Sequence, residues 1–82
     1  MGPQVLTRFP RRHFAITASD SVKFHRPTTV YVGTGGDVAV KDWETATTLV
    51  YKNVPDGYVI PVQVEQVLST GTVTADDFIG II

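Results

Sequence analysis

Twenty-nine of the 82 residues are β-branched: 13 Val, 11 Thr and 5 Ile. Such side chains are stiff at χ1 and sit better on a pleated, half-buried surface than on a helix. The good helix formers are scarce, with 3 Leu, 5 Ala and 1 Met. No stretch carries apolar residues at helical spacing over several turns. The expected fold is therefore all-β: a small antiparallel β-sandwich or barrel preceded by an extended N-terminal arm.

The length allows one domain, divided here into an arm over residues 1–12 and a β domain over residues 13–82. A chain this short buries a modest share of its surface, and small domains usually draw on disulfides, a metal or partner subunits. There is no cysteine, so disulfides and thiolate metal sites are excluded. Only two histidines occur, His13 and His25. Oligomerisation is the support that remains. No apolar run approaches membrane-spanning length, and no signal-peptide core follows the basic N-terminus.

The net charge of −1 hides an asymmetry. Residues 1–26 carry Arg8, Arg11, Arg12, Lys23 and Arg26 against Asp20. Residues 27–82 carry Lys41 and Lys52 against Asp37, Asp42, Glu44, Asp56, Glu65, Asp76 and Asp77. A basic leading segment followed by an acidic body can steer complementary surfaces together. Pro3 and Pro10 keep the arm out of regular structure. Its apolar Leu6 and Phe9 imply that it lies on something.

Along the body, His13–Thr17 alternates with Phe14 and Ile16 on one face, which predicts a strand. Ala18-Ser19-Asp20-Ser21 reads as a turn or loop, since Ser and Asp hydrogen-bond their own backbone. Thr28–Val32 reads as a strand with Val30 and Val32 inward. Gly33–Asp37 reads as a tight turn joining it to Val38–Val40 in a β-hairpin. Asp42-Trp43-Glu44 is a bend and Thr45–Lys52 a further strand. Asn53–Gly57 carries turn chemistry. Tyr58–Leu68 alternates, with Pro61 marking an edge, a bulge or a break in pairing. Ser69–Thr72 reads as another turn. A chain ending in Ile81-Ile82 calls for a terminus buried in a sheet or a subunit contact.

Most candidate chemistry fails on its own requirements. Gly33-Thr34-Gly35-Gly36 lacks the following helix and the Lys-Ser/Thr of a phosphate loop. Asp76 and Asp77 are adjacent, so on a strand they point to opposite faces and make no catalytic dyad. A loop exposed to solvent accounts for them better. No calcium-loop spacing is present. His13, Ser19, Asp20, Ser21 and His25 contain the members of a triad but no nucleophile elbow. Tyr31, Trp43, Tyr51 and Tyr58 suit core or interface filling better than a sugar-binding face. Arg8, Arg11 and Arg12 with Phe9, His13 and Phe14 form a basic–aromatic cluster. Such clusters stack on single-stranded nucleic acid, which keeps an OB-like or SH3-like binding barrel as an alternative. The acidic body opposes that use and favours docking on an acidic protein surface.

Three segments carry a resemblance. They are Ala15-Ile16-Thr17-Ala18-Ser19-Asp20-Ser21, then Tyr31-Val32-Gly33 through Gly36-Asp37-Val38-Ala39-Val40, then Asn53-Val54-Pro55-Asp56-Gly57 through Ile60-Pro61-Val62-Gln63-Val64 with Ser69-Thr70-Gly71-Thr72. In this order they resemble the spike base proteins, small head proteins of tailed phages and gene transfer agents. The likeness runs from residue 14 to about residue 82. It implies a virion structural protein on the outer surface of the capsid head, the symmetric base for a spike or fibre. No enzyme activity and no cofactor come with it, and neither nucleic acid nor membrane is a partner. The implied partners are the major capsid protein, a spike or fibre protein, and further copies of the chain, with a pentamer favoured over a trimer. A decoration protein elsewhere on the shell is the related alternative. This chain departs from the family pattern in its longer Arg-rich arm and in its Ile-Gly-Ile-Ile end, where an aromatic end is common. Leu6, Arg8, Phe9, Arg11, Arg12 and Phe14 of the arm and its root are the expected interface residues. Asp76, Asp77, Ile81 and Ile82 near the C-terminus complete the set.

Overall fold

Alternating apolar residues and four passages of the chain from one sheet to the other divide the body into two layers. The structure, a computed structural model, describes residues 12–82. Seven strands follow in order: β1 (His13–Ile16), β2 (Thr29–Thr34), β3 (Gly36–Asp42), β4 (Thr48–Val54), β5 (Tyr58–Val59), β6 (Val64–Val73) and β7 (Asp76–Ile81). One sheet has the order β1-β7-β2-β5 and the other β4-β3-β6, with every pairing antiparallel. The fold is the expected all-β one, in its sandwich form. Ile16, Val30, Val32 and Phe78 from the first sheet meet Val38, Val40, Val64 and Val67 from the second in one core. Ile60 closes that core where the chain leaves β5.

The C-terminal strand lies inside its sheet. Ile81 stands opposite His13 on one side and Thr29 on the other. Ile82 continues the ladder by exchanging backbone hydrogen bonds with Arg12, at 3.1 and 3.0 Å. The two final isoleucines are thus half-buried in a sheet.

The expected hairpin over Gly33–Asp37 does not form. β2 and β3 belong to different sheets, and the glycine segment is the corner between layers. Gly35 is required there by space. A Cβ on it would collide with the Val54 carbonyl oxygen. Its N–H donates to Asp56 Oδ1 at 2.6 Å, which fastens the corner to the β4–β5 turn. Ser69–Thr72 is likewise no turn but the latter part of β6. The ladder shifts register opposite it, between Asp37 and Ala39, with Gly71 at φ +97°. A strand with such a bulge bends without stopping. Asp76 and Asp77 open β7 instead of lying in a loop. Pro61 does break the pairing. The expected strand over Tyr58–Leu68 divides there into β5 and β6.

Residues 17–28 strap the outer edge of β6. Ser19 N–H donates to Val67 O at 2.9 Å and Phe24 N–H to Glu65 O at 2.8 Å. Thr28 and Val64 exchange bonds at 3.2 and 2.8 Å. The Asp20 carboxylate accepts from the Ser69 and Thr70 N–H groups, both at 3.0 Å, and from the Thr70 hydroxyl at 2.5 Å. Gln66, buried beneath the strap, donates through Nε2 to Ser19 O at 3.0 Å. Unpaired strand edges invite other chains to add to them. This edge is satisfied internally.

Candidate assembly interface

The strap and β1 enclose two neighbouring grooves. Phe14 on β1 and Phe24 on the strap meet edge to face, with ring centroids 5.8 Å apart and planes at 74°. The Phe14 ring occupies the gap above Gly80, its register partner on β7. One groove, of about 360 Å³, has Phe14, Phe24 and Ile82 in its lining and Arg12, Lys23 and Arg26 around it. The other, of about 470 Å³, is mainly apolar and is lined by Phe14, Ile16, Val22, Phe24 and Val67. Lys23 faces Glu65 at 3.6 Å. Among the described residues, Arg12 and Arg26 have no carboxylate within salt-bridge distance.

Carboxylates gather at the other end of the same sheet. Thr29 on β2 pairs with Ile81, whereas Thr34 pairs with Asp76. At about 3.4 Å per residue, the two ends lie roughly 17 Å apart. Asp77 accepts a hydrogen bond from the Thr34 hydroxyl at 2.6 Å. Asp56 is held by Gly35 as described, and Asp37 lies 3.8 Å from Lys52 while accepting from Asn53 N–H at 3.0 Å. Asp56, Asp76 and Asp77 have no cationic partner among the described residues.

Two further carboxylates are structural. Asp20 is held below the usual aspartate range, chiefly by the Thr70 hydroxyl and then by the Thr70 and Ser69 amides. Asp42 is lowered by the Thr47 amide first and the Thr45 hydroxyl second. Both stabilise the charged form by hydrogen bonding to it.

The interface residues expected from the sequence fall in three places. Leu6, Arg8, Phe9 and Arg11 lie outside the described residues. Arg12, Phe14 and Ile82 come together at the cation-rimmed groove, with Ile81 on the strand beside it. Asp76 and Asp77 stand at the far end of β7. Sequence reading missed the strap as a lining element. Its signal was present in the alternation Val22-Lys23-Phe24-His25-Arg26, which offers apolar and basic groups in turn.

No protein-family model matches the chain. No curated protein matches it either. Among solved structures it is similar to a chain in the capsid of a native gene transfer agent (GTA) particle, a structure computed with C5 symmetry. The two are 38% identical, with a TM-score of 0.73, and the match covers 89% of this chain and 83% of that one. Identity at that level over nearly both full lengths goes beyond a shared sandwich architecture. The chain therefore belongs to the family of this gene-transfer-agent capsid chain, among the capsid-related proteins of phages and gene transfer agents.

Proposed function

We propose that this virion protein stands on the outer surface of the capsid head as a homo-oligomeric ring, a pentamer, and forms the base of a head spike or fibre. The carrying observation is the likeness, along nearly the whole chain, to a component of a particle computed with C5 symmetry. A closed ring needs heterologous contacts, in which one surface of a subunit meets a different surface of the next. The body has two unlike surfaces for such a contact, an apolar groove rimmed by Arg12, Lys23 and Arg26 and a separate region where Asp56 has no cationic partner among the described residues. The basic N-terminal arm joins the body at Arg12, beside that groove, and reaches the major capsid protein or a neighbouring subunit. The spike or fibre protein occupies the face turned away from the shell. The role is mechanical and non-enzymatic.

Co-sedimentation with purified heads tests this reading. The full chain is expected to bind heads at saturating stoichiometry. A chain lacking residues 1–11, which keeps the Arg12–Ile82 pairing, is expected to lose attachment or ring formation while its β-type circular dichroism persists. Normal decoration by the truncated chain contradicts the role given to the arm. A salt-sensitive shift of labelled single-stranded DNA, without head binding, contradicts the assembly role itself.

A further inference from the structure

We infer that the subunits of the proposed ring join flank to flank, the open β4–β5 side of one copy seating on the β1 side of the next. This deepens the ring reading and rests on it. Strand order supplies the geometry. β1 and β5 are the two outermost strands of the four-stranded sheet, so they face opposite ways. β4, an outer strand of the other sheet, connects to β5 through residues 55–57 alone and shares its flank.

The β4–β5 flank is unfinished. The outer edge of β4 runs for seven residues, and no strand among the described residues pairs with it. Leu49 is 63% exposed, Val59 46%, Val50 40% and Tyr58 36%. Leu49 is the most telling. It stands opposite Val40, a core residue, so it occupies a position on the inner face of its sheet. The four-stranded sheet does not extend far enough to cover it. A flat, apolar, unpaired edge ordinarily aggregates unless charge, proline or a covering element blunts it. Here the strand itself carries one charge, Lys52, which lies near Asp37. The contrast with β6, whose edge residues 17–28 cover, is internal to the same sheet.

The β1 flank is complementary. It offers a short edge strand beside the two grooves, with Val22 60% exposed at their junction. Charge favours the same match. Among the described residues, Arg12 and Arg26 on the β1 flank have no carboxylate partner, and Asp56 in the turn of the β4–β5 flank has no cationic one. The occupant of each flank is therefore a second copy of this chain, docked in the heterologous manner that closes a ring.

Thiol cross-linking tests the arrangement, because the chain has no cysteine of its own. Val22→Cys and Val59→Cys mark the two flanks. The double variant, treated at micromolar concentration with a short bis-maleimide, is expected to yield a ladder ending at the ring number. Each single variant is expected to stay monomeric on a denaturing gel. Leu49→Lys is expected to weaken association about tenfold or more, while its β-type circular dichroism persists. A dimer from Val59→Cys alone overturns the proposal in favour of a symmetric contact. A ring mass by light scattering, with no ladder from the double variant, overturns the flank assignment and spares the ring. A monomer mass for the unmodified full chain overturns both.

Discussion

At the scale of single residues, the sharpest constraint is the pairing of Phe14 with Gly80. The ring lies over the missing side chain, and a Cβ at Gly80 would approach Phe14 Cζ to 2.5 Å. Gly80→Ala is expected to cost about 1–3 kcal/mol by forcing the ring aside. Combined with Phe14→Ala, the loss should fall well short of additive, since the two changes share one space. A double-mutant cycle by urea unfolding measures this. Among the described residues, Phe78 is the one buried phenylalanine, at 3% exposure. Phe78→Ala should cost about 3–5 kcal/mol, read from the same unfolding curves, because the cavity cannot collapse between two sheets. The inward positions of Ile16, Val30 and Val32 were legible, because strand alternation is a local property. The partnership of Phe14 with Gly80 was not. It depends on β7 returning to the sheet beside β1, and nothing within either segment specifies its neighbour.

At the scale of elements, the strap over residues 17–28 holds the closed flank through Asp20. Its ionised carboxylate accepts three hydrogen bonds from Ser69 and Thr70. The folded-state affinity for protons is lowered, so this contribution is full above the unfolded aspartate value, about 3.9. It is lost as the pH falls through the lower folded value. The melting temperature should therefore drop on acidification below about pH 4. Asp20→Asn should lower stability at neutral pH and flatten part of that acid slope. An unchanged slope in the variant would remove Asp20 from the account. The sequence identified Asp20 as turn chemistry, which was right about residue type and wrong about reach. Its partners lie on a distant strand, although Ser19 does accept a local bond from Ser21 N–H at 3.2 Å. The glycine segment over residues 33–36 misled for a similar reason. A sheet-to-sheet corner and a hairpin turn use the same permissive residue, and only the pairing of the flanking strands separates them.

At the scale of the whole molecule, the β-branched surplus was enough to reveal the fold class, and the order of segments was enough to point to the capsid-related proteins of phages and gene transfer agents. The charge asymmetry was legible in part. Asp56, Asp76 and Asp77 do lie away from the root of the arm. Asp42, however, pairs with Val64, which also pairs with Thr28, so this acid sits at the groove end. Charges separated along a chain are not separated in space when antiparallel strands fold back. The exposed flank was not legible at all, because Leu49 becomes surface only where the facing sheet stops, and nothing within its own strand specifies that. Two consequences belong at this scale. Association between copies should slow as salt rises, since screening weakens the attraction between the Arg12–Arg26 side and the Asp56 side. The assembled ring should nevertheless persist at moderate salt, since apolar burial carries its stability. Stopped-flow mixing and equilibrium sedimentation across a salt series separate the two effects.

Multi-angle light scattering on the purified full chain across a dilution series tests the central claim most directly. The account predicts a single species of five times the 9.0 kDa chain mass, stable into the micromolar range. A well-folded species with the mass of one chain at every concentration would contradict it.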